Sequence, residues 1–246
     1  MNQKTIFISA DHGLAIVYFL QSDVIQTLLD GGTQVVLLTD DALQQRITER
    51  FGRQGLVVEG LRLEQARRYS QTVSPALQYW INFLRRVGAS NRINTEAMDS
   101  HIRQVETEAV GKRKGVITLM KCFISILRRS RLARQALVRS QMRFTPDLYG
   151  DLLDRYQPKL VISNTLGWRL DRYLLRQANQ RGILTAGGIV GWDNPSSYSL
   201  SGAPMDYVTC WSKIQKQELV EGSDWQSDRV NIGGIPSYDG YFRKEW

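Results

Sequence analysis

The sequence predicts an α/β fold in which helices cover both faces of a mainly parallel sheet. Short, nearly continuous apolar runs alternate with amphipathic helical patterns near both ends of the chain, which is typical of strands buried on both faces. Turns containing glycine and aspartate separate these runs. At 246 residues with 42% hydrophobic side chains, the chain is long enough for a substantial core. We therefore expect a single domain over residues 1–246.

The first 61 residues predict a βαβ unit that is extended by one further helix and strand. The strand patterns are apolar runs at residues 5–10 (TIFISA), 34–38 (QVVLL) and 55–61 (GLVVEGL). The helical patterns cover residues 14–29 and 41–50, and the first ends at the stop signal Asp30-Gly31-Gly32. This alternation is that of a Rossmann-like, doubly wound sheet.

A helical insertion interrupts the alternation before it returns in the last third of the chain. Strand patterns disappear over about residues 64–145, where Leu, Arg, Gln and Ala predominate, and several long helices are predicted there. After Pro146 the predicted strands are 159–163, 183–186, 205–211 and 230–232. The predicted helices between them are 147–156, 168–181 and 212–221.

The positive charge of the chain is concentrated in this insertion. The net charge is +8, and between Arg85 and Arg143 there are 14 Lys or Arg against four acids, a local balance of +10. The rest of the chain therefore sums to −2. Because the basic stretch lacks interleaved aromatic residues and any recognised binding motif, we do not expect nucleic acid as a partner.

The positions of the cysteines and the lengths of the apolar segments indicate the cellular compartment. Cys122 and Cys210 are far apart in sequence, which argues against a disulfide framework and favours a reducing cytoplasm. The opening MNQKTIFISADHG lacks the apolar region and cleavage site of a secretory signal. The longest apolar concentration, residues 116–127, is shorter than the roughly 20 residues that a membrane span needs. We expect a cytoplasmic protein.

Four loops that leave predicted strands are candidates for ligand binding, because doubly wound sheets bind ligands beyond the carboxyl ends of their strands. They are Asp11-His12-Gly13, Asn164-Thr165-Leu166-Gly167, Gly191-Trp192-Asp193-Asn194 and Gly233-Gly234-Ile235-Pro236.

The first and third loops each have two interpretations. The Asp11-His12 pair can supply a general base, with Gly13 permitting close approach of a ligand, or Asp11 caps a helix and His12 is a surface residue. In the third loop, Trp192 and the polar side chains that follow it, including Ser196 and Ser197, are suited to binding a sugar. Residues of these types also form ordinary turns.

Several common enzyme motifs do not occur. The sequence contains no GxGxxG fingerprint, no GxxxxGK[ST] phosphate loop, no GxSxG elbow and no HExxH helix. Its two histidines, His12 and His101, leave little for metal ligation, so no metal site is expected.

Three segments near the end of the chain form a recognisable set: GWDNPSS at 191–197, DYVTCWSKIQKQELVEG at 206–222 and DRVNIGGIPSYDGYF at 228–242. Together they resemble bacterial GT-B glycosyltransferases of surface-polysaccharide synthesis. The last follows the family form RV-x-x-x-G-x-P-x-x-D-x-x-F, with Arg229-Val230, Gly234, Pro236, Asp239 and Phe242. The resemblance covers about the last 55 residues closely, the opening βαβ unit loosely, and the basic middle not at all.

This resemblance implies that the chain is the N-terminal, acceptor-side half of a GT-B enzyme. A C-terminal domain that binds the nucleotide-sugar donor is expected in cis or in trans and is absent from the 246 residues, so no cofactor is expected on this chain and it should be inactive alone. His12 is the candidate base, with Asp11 or Asp193 as its orienting partner or substitute. The acceptor, a sugar or a lipid-linked sugar, would contact Gly13, Asn164, Thr165, Trp192, Asn194 and Ser196.

The basic helical region has two interpretations. Val116, Met120, Phe123 and Leu127 share one helical face, followed by the Arg128–Arg134 cluster. This face and the cluster would rest on anionic lipid at the inner face of the plasma membrane, or the apolar face packs on the sheet and the arginines are solvated.

Two other functions remain open beside the transferase. One is a noncatalytic subunit that anchors or binds a separate catalytic half, and the other is half of a nucleotide-sugar epimerase.

Overall fold

The computed structural model describes residues 4–244 and confirms a Rossmann-like α/β fold. Its seven strands form one parallel sheet in the order β3-β2-β1-β4-β5-β6-β7. The strands are β1 Thr5–Ala10, β2 Gln34–Thr39, β3 Leu56–Gly60, β4 Leu160–Ser163, β5 Leu184–Gly188, β6 Tyr207–Cys210 and β7 Val230–Ile232. The sheet was expected to be mainly parallel, and every described strand pairing is parallel.

Helices connect the strands and cover both faces of the sheet. They are α1 Gly13–Leu20, α2 Val24–Asp30, α3 Gln44–Phe51, α4 Leu63–Thr72, α5 Pro75–Val87, α6 Glu96–Glu108, α7 Lys112–Arg129, α8 Arg131–Ser140, α9 Gly150–Tyr156, α10 Arg172–Gln180, α11 Asn194–Ser197, α12 Lys213–Ser223 and α13 Asp239–Phe242.

The apolar strands are buried on both sides, as their sequence pattern predicts. Phe7 of β1 packs with α9 and α10 on one face, while its neighbour Ile8 packs with α1 and α2 on the other. Val36 and Leu37 of β2 divide between the same two clusters. Successive side chains of a strand point to opposite faces, so a continuous apolar run fills two cores at once.

Two predicted helices differ from the observed ones for local reasons. The pattern over residues 14–29 is broken into α1 and α2, because the Ser22 hydroxyl donates to the Tyr18 carbonyl and accepts from the Val24 amide. The helix expected from residue 168 begins at Arg172, because the preceding residues turn to bring the Ser163 and Thr165 hydroxyls onto Asp171.

Helices α5 to α8, which lie between β3 and β4 along the sequence, form a layer with its own apolar core. Phe83, Met98, Met120 and Ile124 belong to this core, so the buried face of α7 packs on neighbouring helices and not on the sheet. Arg176 of α10 joins the layer to the sheet domain, since its buried guanidinium donates to the carbonyls of Gly202 and Phe144 and to Gln141 Oε1 at 2.7 to 3.0 Å.

Within residues 4–244, no helix is both long enough and apolar enough to cross a membrane.

Candidate active site

The strand order brings the first two candidate loops together. β2 and β3 lie on one side of β1, whereas β4 and the strands after it lie on the other, so the direction of winding changes between β1 and β4. The crevice at such a switch point is where doubly wound sheets bind ligands. Asp11-His12 follows β1 and Asn164-Thr165 follows β4, so both loops flank this crevice.

Asp11 and His12 form a hydrogen-bonded dyad. His12 Nδ1 lies 2.6 Å from Asp11 Oδ1. The Asp11 side chain is 2% exposed and that of His12 is 23% exposed, so a buried carboxylate holds a half-buried imidazole. Among the described residues, no hydrogen bond reaches His12 Nε2. The dyad therefore has its inner nitrogen fixed and its outer nitrogen available to a ligand.

Asn164 orients the dyad from the neighbouring strand. Ser9 Oγ donates to Asn164 Oδ1 at 3.5 Å, which directs the amide nitrogen towards Asp11 Oδ1, to which it donates at 3.3 Å. The same nitrogen lies 3.0 Å from His12 Nδ1, to which it can donate only when that ring nitrogen carries no proton. Only the tautomer with its proton on Nδ1 can donate to the Asp11 carboxylate, so the carboxylate favours that tautomer. In this state Nε2 is unprotonated and can accept a proton.

Arg169 is a site residue that the sequence analysis missed. Its Nε donates to Asp11 Oδ2 at 2.6 Å, while its side chain is 52% exposed at the crevice. Burial alone would raise the pKa of Asp11, but the hydrogen bonds from His12 and Arg169 outweigh it and hold this pKa below its usual value. Asp11 is therefore an ionised partner for His12 near neutral pH.

Thr165 and the buried Asp171 form the support beneath the dyad. Asp171 Oδ2 accepts hydrogen bonds from the hydroxyls of Ser163 and Thr165, the latter at 3.0 Å. Burial, assisted by the negative charge of Asp11, raises the pKa of Asp171 to about 6. The Thr165 side chain is buried and committed to Asp171, and its predicted contact with an acceptor stays a prediction.

The loop after β5 is held separately from the dyad. Gln215 of α12 donates to the carbonyls of Gly191 and Trp192 at 3.1 and 2.9 Å. Asp193 Oδ2 accepts from the Ser197 hydroxyl at 3.0 Å, and in the described part of the chain no hydrogen bond joins Asp193 to the dyad. Trp192 is 77% exposed, so its ring is open to a ligand or a partner.

The other predicted substrate contacts occupy open or turn positions. Gly13 begins α1, and a Cβ placed on it would have no atom within 4 Å. Asn194 begins α11, where its backbone accepts from Tyr198, and the Ser196 hydroxyl donates to the Asp193 carbonyl at 3.1 Å. The space beside Gly13 is therefore open, and these residues stay predicted acceptor contacts.

The amino-acid types around the site do not form a metal centre. Across residues 4–244, no group of three or more His, Cys, Asp or Glu side chains is arranged to hold a metal ion. Comparison with protein-family models and with curated proteins returned no match. The fold and the switch-point dyad define a Rossmann-like α/β protein with a candidate ligand crevice, and the glycosyltransferase resemblance rests on the quoted segments.

Proposed function

We propose that this chain is the acceptor-binding half of a sugar-nucleotide-dependent glycosyltransferase of bacterial surface polysaccharide or glycolipid synthesis. The observation that carries the proposal is the Asp11–His12 dyad, with Nε2 of its imidazole unpaired among the described residues at the switch-point crevice. An ionised, buried carboxylate that holds Nδ1 is the arrangement that makes the opposite nitrogen an effective base.

The dyad would act on an acceptor hydroxyl. As the hydroxyl oxygen forms its bond to the anomeric carbon of the donor sugar, its proton passes to His12 Nε2. The bond from that carbon to the nucleotide diphosphate breaks, and the diphosphate leaves with the electron pair. The imidazolium that results is stabilised by Asp11, whose own charge is held by Arg169.

Exposed apolar side chains at the carboxyl edge of the sheet support a second domain across the crevice. Leu14 lies in the first turn of α1, Trp192 follows β5, Ile214 lies in the first turn of α12, and Tyr238 and Phe242 follow β7. Each is at least half exposed, and Phe242 reaches 79%. Large apolar groups gathered on one exposed edge are typical of a surface that meets a partner. The donor-binding domain would supply the nucleotide site and stabilise the leaving group.

The outer face of α7 supports contact with an anionic membrane. Leu119, Phe123 and Ile126 are 45% to 54% exposed, beside the exposed Arg129 and Arg131. Apolar side chains inserted at the interface and cations near the headgroups both favour such contact, with about 1 kcal/mol for each cation. A lipid-linked acceptor would then be met at the inner face of the plasma membrane.

Vesicle sedimentation tests the membrane contact. The double variant Phe123→Ser/Ile126→Ser should bind vesicles containing phosphatidylglycerol about tenfold more weakly than the wild type. Ile214→Ser removes an exposed apolar side chain elsewhere and should leave binding unchanged. Equal binding by all three proteins would rule out α7 as the contact.

Sugar incorporation in cell extracts tests the transferase. Extracts with membranes from source cells that lack the gene are given a panel of radiolabelled nucleotide sugars, with or without the purified protein. We expect one labelled sugar to enter a lipid or polysaccharide fraction only when the protein is added. Full incorporation without the protein would contradict the proposal, and conversion of the donor to a second nucleotide sugar would identify an epimerase instead.

A further inference from the structure

A basic groove lies at the edge of the sheet opposite the dyad. We name it the amino-edge groove, because Met205 precedes β6 and Arg229 precedes β7 on one wall, while α8 with Arg131 and Arg139 forms the other. This part encloses about 250 Å³. A second lobe adjoins it at Trp225 and continues along Arg92, Arg128 and Arg129. All strands are parallel, so Met205 and Arg229 stand at the amino ends of their strands, whereas the dyad follows the carboxyl end of β1.

One ion pair fixes the junction of the two lobes. Arg134 donates two hydrogen bonds to the Asp224 carboxylate, from Nε at 2.6 Å and from Nη2 at 2.7 Å, and its Nη1 donates to the Leu127 carbonyl at 2.6 Å. The Arg134 side chain is 6% exposed, so this pair is part of the wall. Because Asp224 is fully engaged, it does not neutralise the other arginines of the groove.

The remaining arginines carry the charge of the groove. Arg128 is paired with Asp99 at 2.8 Å. Five exposed arginines lining the two lobes have no ion pair within the described part of the chain: Arg92, Arg129, Arg131, Arg139 and Arg229. Five like charges along one concavity repel one another, and a bound polyanion relieves that repulsion.

We propose that the amino-edge groove binds a small ligand that carries two or more phosphate groups. A single carboxylate would neutralise one of five guanidinium groups, whereas a diphosphate brings several charges and many acceptor oxygens. The planar fork of arginine matches phosphate oxygens in paired hydrogen bonds. The concave shape, with Trp225 lining both lobes, favours a small molecule over a flat lipid surface or a nucleic-acid duplex. The site does not use the dyad. It shares Arg129 and Arg131 with the surface proposed to contact the membrane, whereas Arg139 and Arg229 belong to the groove alone.

Isothermal titration calorimetry of the full chain with inorganic pyrophosphate at physiological salt tests the proposal. Arg139→Gln/Arg229→Gln removes two exposed groove arginines, and Arg46→Gln/Lys213→Gln removes the same net charge from exposed positions elsewhere. We expect the wild type and the second variant to bind alike and the groove variant to bind at least about tenfold more weakly.

Three outcomes would overturn the proposal. The first is no binding of pyrophosphate by the wild type, and the second is equal weakening in both double variants, which would indicate general charge attraction. The third is tighter binding of single-stranded RNA or of phosphatidylglycerol vesicles than of pyrophosphate, lost in the groove variant, which would assign the groove to a macromolecule or a membrane. None of these results would bear on the dyad.

Discussion

Replacing Asp11 by asparagine should destabilise the folded protein as well as disable the dyad. The carboxylate is buried and accepts from His12 Nδ1 and Arg169 Nε, both at 2.6 Å, and from the Asn164 amide at 3.3 Å. An asparagine offers one acceptor oxygen, and its amide nitrogen would face a donor. Asp11→Asn therefore removes a buried charge and leaves at least one donor unpaired.

The expected loss of stability follows from these contacts. A hydrogen bond to a charged group contributes about 1.5–3 kcal/mol. The contribution of Arg169 lies below this range because its side chain is 52% exposed and screened by solvent. Together with the His12 bond, the total comes to about 2–4 kcal/mol at pH 7.

Urea unfolding at pH 7 measures this loss, with Asp193→Asn as the matched control. The Asp193 carboxylate accepts from the Ser197 hydroxyl at the surface of its loop, so we expect its loss to cost less than about 1 kcal/mol. The pKa of Asp11 lies below its usual value, so its contribution is present above that value, 3.8, and is lost as pH falls further. A variant within about 0.5 kcal/mol of the wild type at pH 7 would refute the reasoning.

Three further substitutions and one control test the surroundings of the site by urea unfolding. Burial raises the pKa of Asp171 to about 6, so the native state holds its proton more tightly than the unfolded state. Wild-type stability should therefore fall by about 2 kcal/mol as pH rises from 4 to 6, and Asp171→Asn should lack this slope. Parallel pH profiles for the two proteins would contradict the raised pKa. Gly202→Ala places a Cβ 1.8 Å from the Gly167 carbonyl oxygen and should cost more than about 3 kcal/mol, whereas Gly13→Ala, in open space, should be nearly neutral. Arg176→Met leaves three acceptors without their donor and should cost about 2–5 kcal/mol, so a change below 1 kcal/mol would count against its structural role.

The sheet could be predicted from the sequence because its signal is local. Strands such as β1 and β2 are continuous apolar runs, and a run buried on both faces needs no knowledge of its partners. The break at Ser22 could not be located, since the helical pattern continues through it and the interruption comes from one hydroxyl that bonds the Tyr18 carbonyl.

The candidate site was predictable only in part, because its supporting contacts join distant residues. Asp11 and His12 are adjacent in sequence and follow a strand, which gave a direct signal. Arg169 reaches Asp11 across 158 positions, and nothing local distinguishes it from other exposed arginines. No local sequence pattern marks Asp171 either, because its role depends on the loop after β4, which brings its carboxylate to the Ser163 and Thr165 hydroxyls.

The most direct test of the central claim is the rate of sugar incorporation by His12→Asn in the extract assay, compared with His101→Asn. These are the two histidines of the chain, and His101 lies on α6, where its ring packs against Phe83 of α5. General-base catalysis contributes about 10²–10⁴-fold, so His12→Asn should lose at least about a hundredfold in rate while His101→Asn keeps wild-type rate. Equal rates for the two variants would contradict a catalytic dyad and favour a noncatalytic binding subunit.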